Sequence, residues 1–361
     1  MLGQDSRAAS RVAPGADAVR GIRLTRGKEG RLTAYAPAEG GIRRWTESRP
    51  GSLVWEPPVL LPVPGLSDLT VTQDANSYVH LVGRRERRTA DRRTTVDVVY
   101  AIQYQSGRAV TEWRSLGNPH KDPQDAAALG VPAVVVTGTG MVHVFVRKAD
   151  GGLTLRRERS DGKWRGWEDR KGVTGVEGGL AGIALSSGRM ELFATTTEGT
   201  LHWFQKEPGG VLGDGYPARL AVARDTLAVL ETGPDRPTFY WTDPGGRGVV
   251  AYRAGGWPMA LGGAPGEGPH TAVRTFLDGY DCTVLAHRGA EGTAVVGVGV
   301  TEEEGNGMWW SDTGLRCLAA PALAQDVFGR LVVAVVGEDG VPKVARQTDE
   351  PGLTLSEWRT L

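Results

Sequence analysis

Short apolar segments with alternating side chains recur between glycine-rich turns along the whole chain. Seven of these segments have a similar form, and their first residues are Arg31, Tyr78, Met141, Arg189, Arg236, Cys282 and Arg330. The intervals between these positions are 46 to 48 residues, apart from one interval of 63 residues after Tyr78. A repeat of this length that consists of strand patterns and tight turns is typical of a β-propeller blade.

Each repeat divides into four short strands, because the alternation restarts after each glycine-rich turn. In the third repeat the predicted strands cover residues 131–137, 141–148, 153–159 and 164–170. We therefore predict an all-β, seven-bladed β-propeller with four antiparallel strands per blade, which forms one domain over residues 21–361. Residues 1–20 lie outside the repeats as an N-terminal tail, expected either to be disordered or to pair with an end blade.

Charge and apolar content argue against several classes of partner. The 42 basic residues balance 42 acidic ones, so there is no net field to attract nucleic acid or an anionic membrane. No apolar run has the length of a signal-peptide core or a membrane helix. This predicts a cytoplasmic protein without membrane insertion, unless a leader is missing from the sequence or export follows another route. Cys282 and Cys317 are expected as reduced, buried thiols.

Signals of enzymatic chemistry are sparse. No segment matches the motifs of metal sites, phosphate-binding loops or serine hydrolases, so no cofactor, metal site or catalytic residue is predicted. The acidic turn at residues 302–304 is expected to be solvated. A catalytic site whose residues converge from several blades would leave no linear motif, so an enzyme acting on a glycan or small molecule stays open as an alternative.

Two segments carry a more specific pattern. Val144-Phe-Val-Arg-Lys-Ala-Asp-Gly-Gly-Leu153 is followed by Trp164-Arg-Gly-Trp167, and the next repeat contains Leu201-His-Trp-Phe-Gln205. These segments resemble the repeat of the bacterial PLL-type seven-bladed propeller lectins, which are similar to tectonins and fucose lectins. The resemblance is close over residues 131–205, and elsewhere only the strand rhythm persists. It implies a seven-bladed ring with shallow sugar pockets between adjacent blades.

The resemblance also implies a ligand site. In that family an aromatic ring of the third strand stacks on a sugar while a nearby histidine and other polar groups bind its hydroxyls. The fourth repeat retains this set as His202, Trp203 and Gln205, and Trp164 and Arg165 of the third repeat are expected to form the facing wall. The third and last repeats have other residues at these places, so at most one or two pockets of the family type are expected.

The remaining tryptophans include one further candidate for ligand binding, and the others are expected to pack between blades. Trp45, preceded by Arg43 and Arg44, occupies a comparable third-strand place in the first repeat and is a second candidate for ligand binding. A further set recurs once per repeat in the predicted outer strands, and we interpret these rings as filling the gaps between blades. Its members are Trp55, Trp113, Trp167, Trp310 and Trp358.

The long interval comes from an arginine-rich insertion at residues 84–93. Six arginines and two acidic residues give it a local charge of +4, and we predict a long loop between the second and third strands of its repeat. Such a loop on a rigid ring is a common place for partner contacts. We expect Arg87, Arg88, Arg92 and Arg93 to dock an acidic surface, the alternative being a solvated hairpin tip.

The sequence therefore favours a non-catalytic binding module for a carbohydrate or glycoconjugate. A protein-interaction scaffold that has kept the fold and lost the sugar sites is the first alternative, and a propeller enzyme is the second. The glycan or protein partner is not identified by the sequence.

Overall fold

The computed structural model describes residues 21–88 and 94–361 and confirms the predicted fold. Seven four-stranded antiparallel sheets form the blades of a β-propeller, and each blade consists of four strands that are consecutive in the chain. The predicted N-terminal tail, residues 1–20, lies outside the described residues, as do residues 89–93.

The strands are numbered in chain order, four to a blade. The inner strands are β1 (Arg23–Arg26), β5 (Leu66–Gln73), β9 (Ala133–Val136), β13 (Val176–Ala184), β17 (Ala228–Gly233), β21 (Thr271–Leu277) and β25 (Ala322–Gln325). The second strands are β2 (Leu32–Ala38), β6 (Val79–Arg88), β10 (Val142–Arg147), β14 (Met190–Thr196), β18 (Arg236–Thr242), β22 (Tyr280–Arg288) and β26 (Leu331–Val336). The third strands are β3 (Gly41–Thr46), β7 (Thr94–Gln103), β11 (Leu153–Arg157), β15 (Gly199–Phe204), β19 (Val249–Tyr252), β23 (Thr293–Val300) and β27 (Pro342–Arg346). The outer strands are β4 (Val59–Pro62), β8 (Arg114–Gly117), β12 (Glu168–Asp169), β16 (Tyr216–Ala218), β20 (Met259–Gly262), β24 (Trp309–Arg316) and β28 (Arg359–Thr360).

The inner strands surround the ring axis, and each contacts the inner strands of both neighbouring blades, including β25 of blade 7 with β1 of blade 1. A one-turn helix, α1 (Pro123–Ala127), lies between blades 2 and 3 and is capped by the side chain of Asp122. Within the described ranges no helix is long and apolar enough to span a membrane.

The outer tryptophans pack against the preceding blade, as expected from their period. Trp113 lies against Tyr35 and Ile42 of blade 1. Trp167 donates its indole N–H to the Leu116 carbonyl oxygen at 3.0 Å, and Trp310 does the same with Leu261 at 2.8 Å. These hydrogen bonds satisfy the polar end of each ring while its apolar body fills the gap between blades.

Ring closure includes a buried ionic cluster between blades 7 and 1. The guanidinium of Arg346, at the end of β27, forms an ion pair with Asp326 of its own blade at 2.8 Å and another with Glu47 of blade 1. Both carboxylate side chains are completely buried. Asp326 also pairs with Arg330 at 2.8 Å, but Arg346 is the cation that compensates Glu47 among the described residues. A buried charge without a partner costs several kcal/mol, so this junction depends on Arg346.

Glu304 and the two cysteines are buried side chains. The turn at residues 302–304 was expected to be solvated, and this is wrong for Glu304, which is fully buried. Its carboxylate forms an ion pair with Arg253 of blade 5 and accepts a hydrogen bond from Thr283 at 2.9 Å, which offsets the cost of its burial. Cys282 and Cys317 are free and buried, as predicted, and burial raises the pKa of both thiols.

Candidate functional site

A wide polar depression lies on the face of the ring at which the inner strands begin, here called the upper face. It has a volume of about 620 Å³ and spans blades 2 to 5. Its walls come from β5 and β6 of blade 2, from the segments that lead into β9, β13 and β17, and from the turns after β10 and β14. Its charged lining residues include Arg84, Arg147, Asp150, Glu177, Arg224 and Asp225.

Glycine shapes the floor of this upper-face depression. Gly175 and Gly178 have φ angles of +68° and +71°, which other residues rarely adopt, and they flank the irregular start of β13. A Cβ atom on Gly151 would lie 2.9 Å from the Gly175 nitrogen, so the blade 3 turn and the blade 4 entry can approach closely only without side chains.

Most charges in the depression are paired with each other. Arg84 contacts Asp68 at 3.2 Å, and Arg224 contacts Glu177 at 2.5 Å. Lys148, just outside the lining, contacts Asp150 at 3.3 Å. The first two pairs each join neighbouring parts of the wall, so these charges hold its shape as well as presenting polar atoms.

Arg147 and Asp225 differ from these pairs. Arg147, at the end of β10, donates to the carbonyl oxygens of Ala128 and Lys148, both at 3.3 Å, and forms no ion pair with any described residue. Asp225, with a φ of +58°, also has no ion pair within residues 21–88 and 94–361. One cation and one anion are thus left for a ligand.

The lining of the depression offers hydrogen-bonding groups rather than a cluster of metal ligands. The backbone N–H of Gly152 and the ammonium of Lys148 keep the pKa of Asp150 below its usual value, so this carboxylate is ionised and accepts hydrogen bonds at neutral pH. Among the described residues, no group of three or more His, Cys, Asp or Glu side chains is arranged to hold a metal ion. The arrangement is chemically suited to binding a polar ligand.

The predicted sugar-binding residues of blade 4 are buried. Trp203 is 0% exposed and packs against Phe145, Leu153 and neighbouring residues of blade 3. His202 is 7% exposed, and its Nε2 lies 2.6 Å from a carboxylate oxygen of Glu191. In this arrangement neither ring presents a face to solvent, so stacking on a sugar would require the blade to open.

Gln205 has a role that repeats around the ring. Its side-chain oxygen accepts the Met190 backbone N–H at 2.9 Å. The Glu47 carboxylate accepts the Leu32 N–H at 2.9 Å in blade 1, and Gln347 repeats the contact in blade 7 at 3.0 Å. The side chain therefore links the second and third strands of its own blade.

The structure does not bring Trp164 and Arg165 to the blade 4 residues. Trp164 packs into the interface between blades 2 and 3, with its ring 5.2 Å from that of Tyr100. Trp203 lies in the next interface, between blades 3 and 4. Arg165 is half-exposed and lies 4.0 Å from Glu168. Trp164 therefore lies apart from the blade 4 residues, because the outer tryptophans of this ring turn toward the preceding blade.

Trp45 borders a narrow groove between blades 7 and 1. The groove has a volume of about 50 Å³ and is lined by Arg43, Pro37 and Pro342 among others. The tryptophan itself is 3% exposed. This volume suits a methyl or hydroxyl group rather than a whole hexose ring.

The arginine-rich insertion is a paired hairpin where it is described, not the long loop that we predicted. Strands β6 and β7 remain in register as far as the pair formed by Arg88 and Thr94. Arg85 and Arg87 both contact the Asp97 carboxylate, at 3.0 and 3.2 Å. Arg88 is exposed, while Arg92 and Arg93 lie outside the described residues. The hairpin rises beside the upper-face depression, because Arg84 at its base is part of the wall.

Sequence reasoning missed the depression because its residues come from strand ends and turns of four blades. Arg147 lies inside the Val144–Leu153 motif but was interpreted only as part of the repeat. The run of glycines at 175, 178 and 179 was the available signal, since a glycine cluster at a strand entry marks a close approach of backbone segments.

Comparisons with known proteins place the fold but not a family. No family model matches the chain, and no curated protein sequence matches it, so the likeness to PLL-type lectins rests on the segments quoted above. Solved structures similar to this chain include the Hadza microbial sialidase Hz136, at 12% identity, a TM-score of 0.53 and coverage of 84% of this chain and 72% of that one. AofleA from Arthrobotrys oligospora has 11% identity, a TM-score of 0.52 and coverage of 81% and 86%. The SapL1 lectin in complex with alpha methyl fucoside has 14% identity, a TM-score of 0.47 and coverage of 82% and 96%.

Proposed function

We propose that this propeller is a non-catalytic binding module for a carbohydrate or glycoconjugate and that the upper-face depression is its binding surface. The observation that carries the proposal is the depression itself, whose volume of about 620 Å³ is within the range of small-molecule sites. Its wall alternates carboxylates, guanidiniums and glycine backbone, which match the alternating donors and acceptors of a sugar. The resemblance of the repeats to lectins supports the same ligand class.

A glycan array with two tryptophan variants tests this proposal. Val131 lines the depression and is 49% exposed, so Val131→Trp should fill the site without disturbing the fold. Val211, 77% exposed and outside the lining, provides the matched control Val211→Trp. We expect glycan binding by the wild type and by Val211→Trp, and a loss of about tenfold or more in Val131→Trp. Absence of any glycan binding, or equal binding by the two variants, would overturn the proposal.

Catalysis on a sugar is an alternative function, since a sialidase is among the similar structures. A glycosidase general acid needs a carboxyl group whose pKa is raised, and Asp150 does not meet this requirement because its pKa is lowered. Incubation of the wild type with each bound glycan should therefore leave the glycan intact by mass spectrometry. Release of a monosaccharide that Val131→Trp abolishes would make the protein an enzyme.

The hairpin favours a second candidate function, the docking of an acidic protein surface. The Arg87 side chain is 54% exposed and Arg88 is exposed next to it. Replacement of Arg87, Arg88, Arg92 and Arg93 by Ser should slow association with such a partner and reduce its salt dependence, with little change in melting temperature. An unchanged association rate and salt response would mean that the hairpin does not dock.

A further inference from the structure

We infer that the preferred ligand of the upper-face depression is an acidic saccharide, whose carboxylate pairs with Arg147. This inference rests on the proposed function and adds the chemical class of the ligand. In the wall of the depression, Arg84 and Arg224 already have carboxylate partners, and Arg147 has none among the described residues.

The hydrogen bonds of Arg147 leave it free to bind an anion. Its two contacts, to the Ala128 and Lys148 carbonyl oxygens, are both long, at 3.3 Å. A guanidinium has five N–H donors, so several remain after these two contacts. The two carbonyl contacts hold the guanidinium at the wall, and a ligand carboxylate can accept two parallel hydrogen bonds from its remaining N–H groups.

Asp225 limits the kind of acid that fits. A simple dianion would be repelled by this carboxylate, which also has no ion pair in the described part of the chain. Hydroxyl or amide N–H groups of a sugar can donate to it instead. Arg147 is the last residue of β10 in blade 3, and Asp225 precedes β17 of blade 5, so blade 4 lies between them. A ligand that reaches both must combine one carboxylate with donors further along, as an acidic oligosaccharide does.

The test compares acidic oligosaccharides with the same molecules after reduction of each carboxyl group to a primary alcohol. Two such comparisons are made, one with an oligosaccharide that ends in a uronic acid and one with an oligosaccharide that ends in a sialic acid. They show which of the two sugars supplies the carboxylate. The proteins are the wild type, Arg147→Gln and Arg147→Lys, each with its melting temperature recorded. Arg159→Gln is the matched control, because Arg159 is half-exposed, pairs with Asp161 and does not line the depression.

We expect the wild type and Arg159→Gln to bind one acidic form about tenfold or more tightly than its reduced form. Arg147→Gln should lose this preference while still binding the reduced form, and Arg147→Lys should retain part of it. Equal binding of acidic and reduced forms by the wild type would refute the inference and leave the proposed function standing. Failure to bind either form, or any other glycan, would refute both.

Discussion

Arg346→Met should destabilise the ring more than any loss of an exposed ion pair. The guanidinium is 3% exposed, and its removal leaves the fully buried Glu47 without a cation, while Asp326 keeps its ion pair with Arg330 at 2.8 Å. Breaking a buried pair from one side costs about 3 to 5 kcal/mol, whereas an exposed pair contributes about 1 kcal/mol or less. Arg316→Met is the matched control, because Arg316 pairs with Glu338 at the surface.

The assay is urea unfolding followed by tryptophan fluorescence, with the midpoint and slope of each variant compared with the wild type. A double variant, Arg346→Met with Glu47→Gln, removes both charges of the pair between the blades and should recover part of the lost stability. If Arg346→Met unfolds at the same urea concentration as Arg316→Met, the cluster does not hold blade 7 to blade 1. If the double variant is less stable than Arg346→Met, uncompensated charge is not the cause of the loss.

Three further predictions concern buried groups. Burial lowers the pKa of His143 to about 4 and that of His270 to about 3. Below about pH 6.5 the unfolded chain takes up protons that the folded ring does not, so each histidine should reduce the free energy of unfolding by about 1.4 kcal/mol for each unit by which the pH falls. In His270→Gln the urea midpoint should therefore fall less steeply between about pH 6.5 and pH 4.5 than in the wild type. An unchanged dependence of the midpoint on pH would contradict this. Trp203→Ala should cost about 3 to 5 kcal/mol and leave glycan affinity unchanged, whereas normal stability with a selective loss of binding would return this ring to the ligand site. Gly215→Ala should lower the free energy of unfolding more in the wild type than in a Trp203→Leu variant, because the Cβ of the new alanine would lie 2.8 Å from the Trp203 Nε1. An equal loss of unfolding free energy in both proteins would exclude this contact.

The sequence was sufficient to predict the blades because their period is dictated by local rules. Alternation defines each strand, and glycine with a positive φ, as at Gly151, closes the turns between them. In the third blade the four predicted strands correspond to β9, β10, β11 and β12, each shorter at one or both ends. The extended hairpin was not predicted, because polar arginines in a strand resemble a loop until the pairing partner is known.

The candidate site could not be predicted, because side-chain burial depends on neighbouring blades. Trp203 has the ring and the flanking histidine of a sugar-binding strand, yet blade 3 covers it. One local signal did exist. The residue directly before the outer strand is tryptophan in blades 2, 3 and 7 but Gly215 in blade 4, where the Trp203 ring lies against the glycine instead. A missing outer tryptophan therefore indicates a third-strand ring that takes over its packing role.

The most direct test of the proposed function is a crystal structure of the protein with the tightest-binding oligosaccharide from the array. The account predicts sugar density in the depression of blades 2 to 5, with a carboxylate at Arg147 and hydroxyl or amide donors at Asp225. Density in the groove beside Trp45, or at another interface between blades with the depression empty, would contradict it.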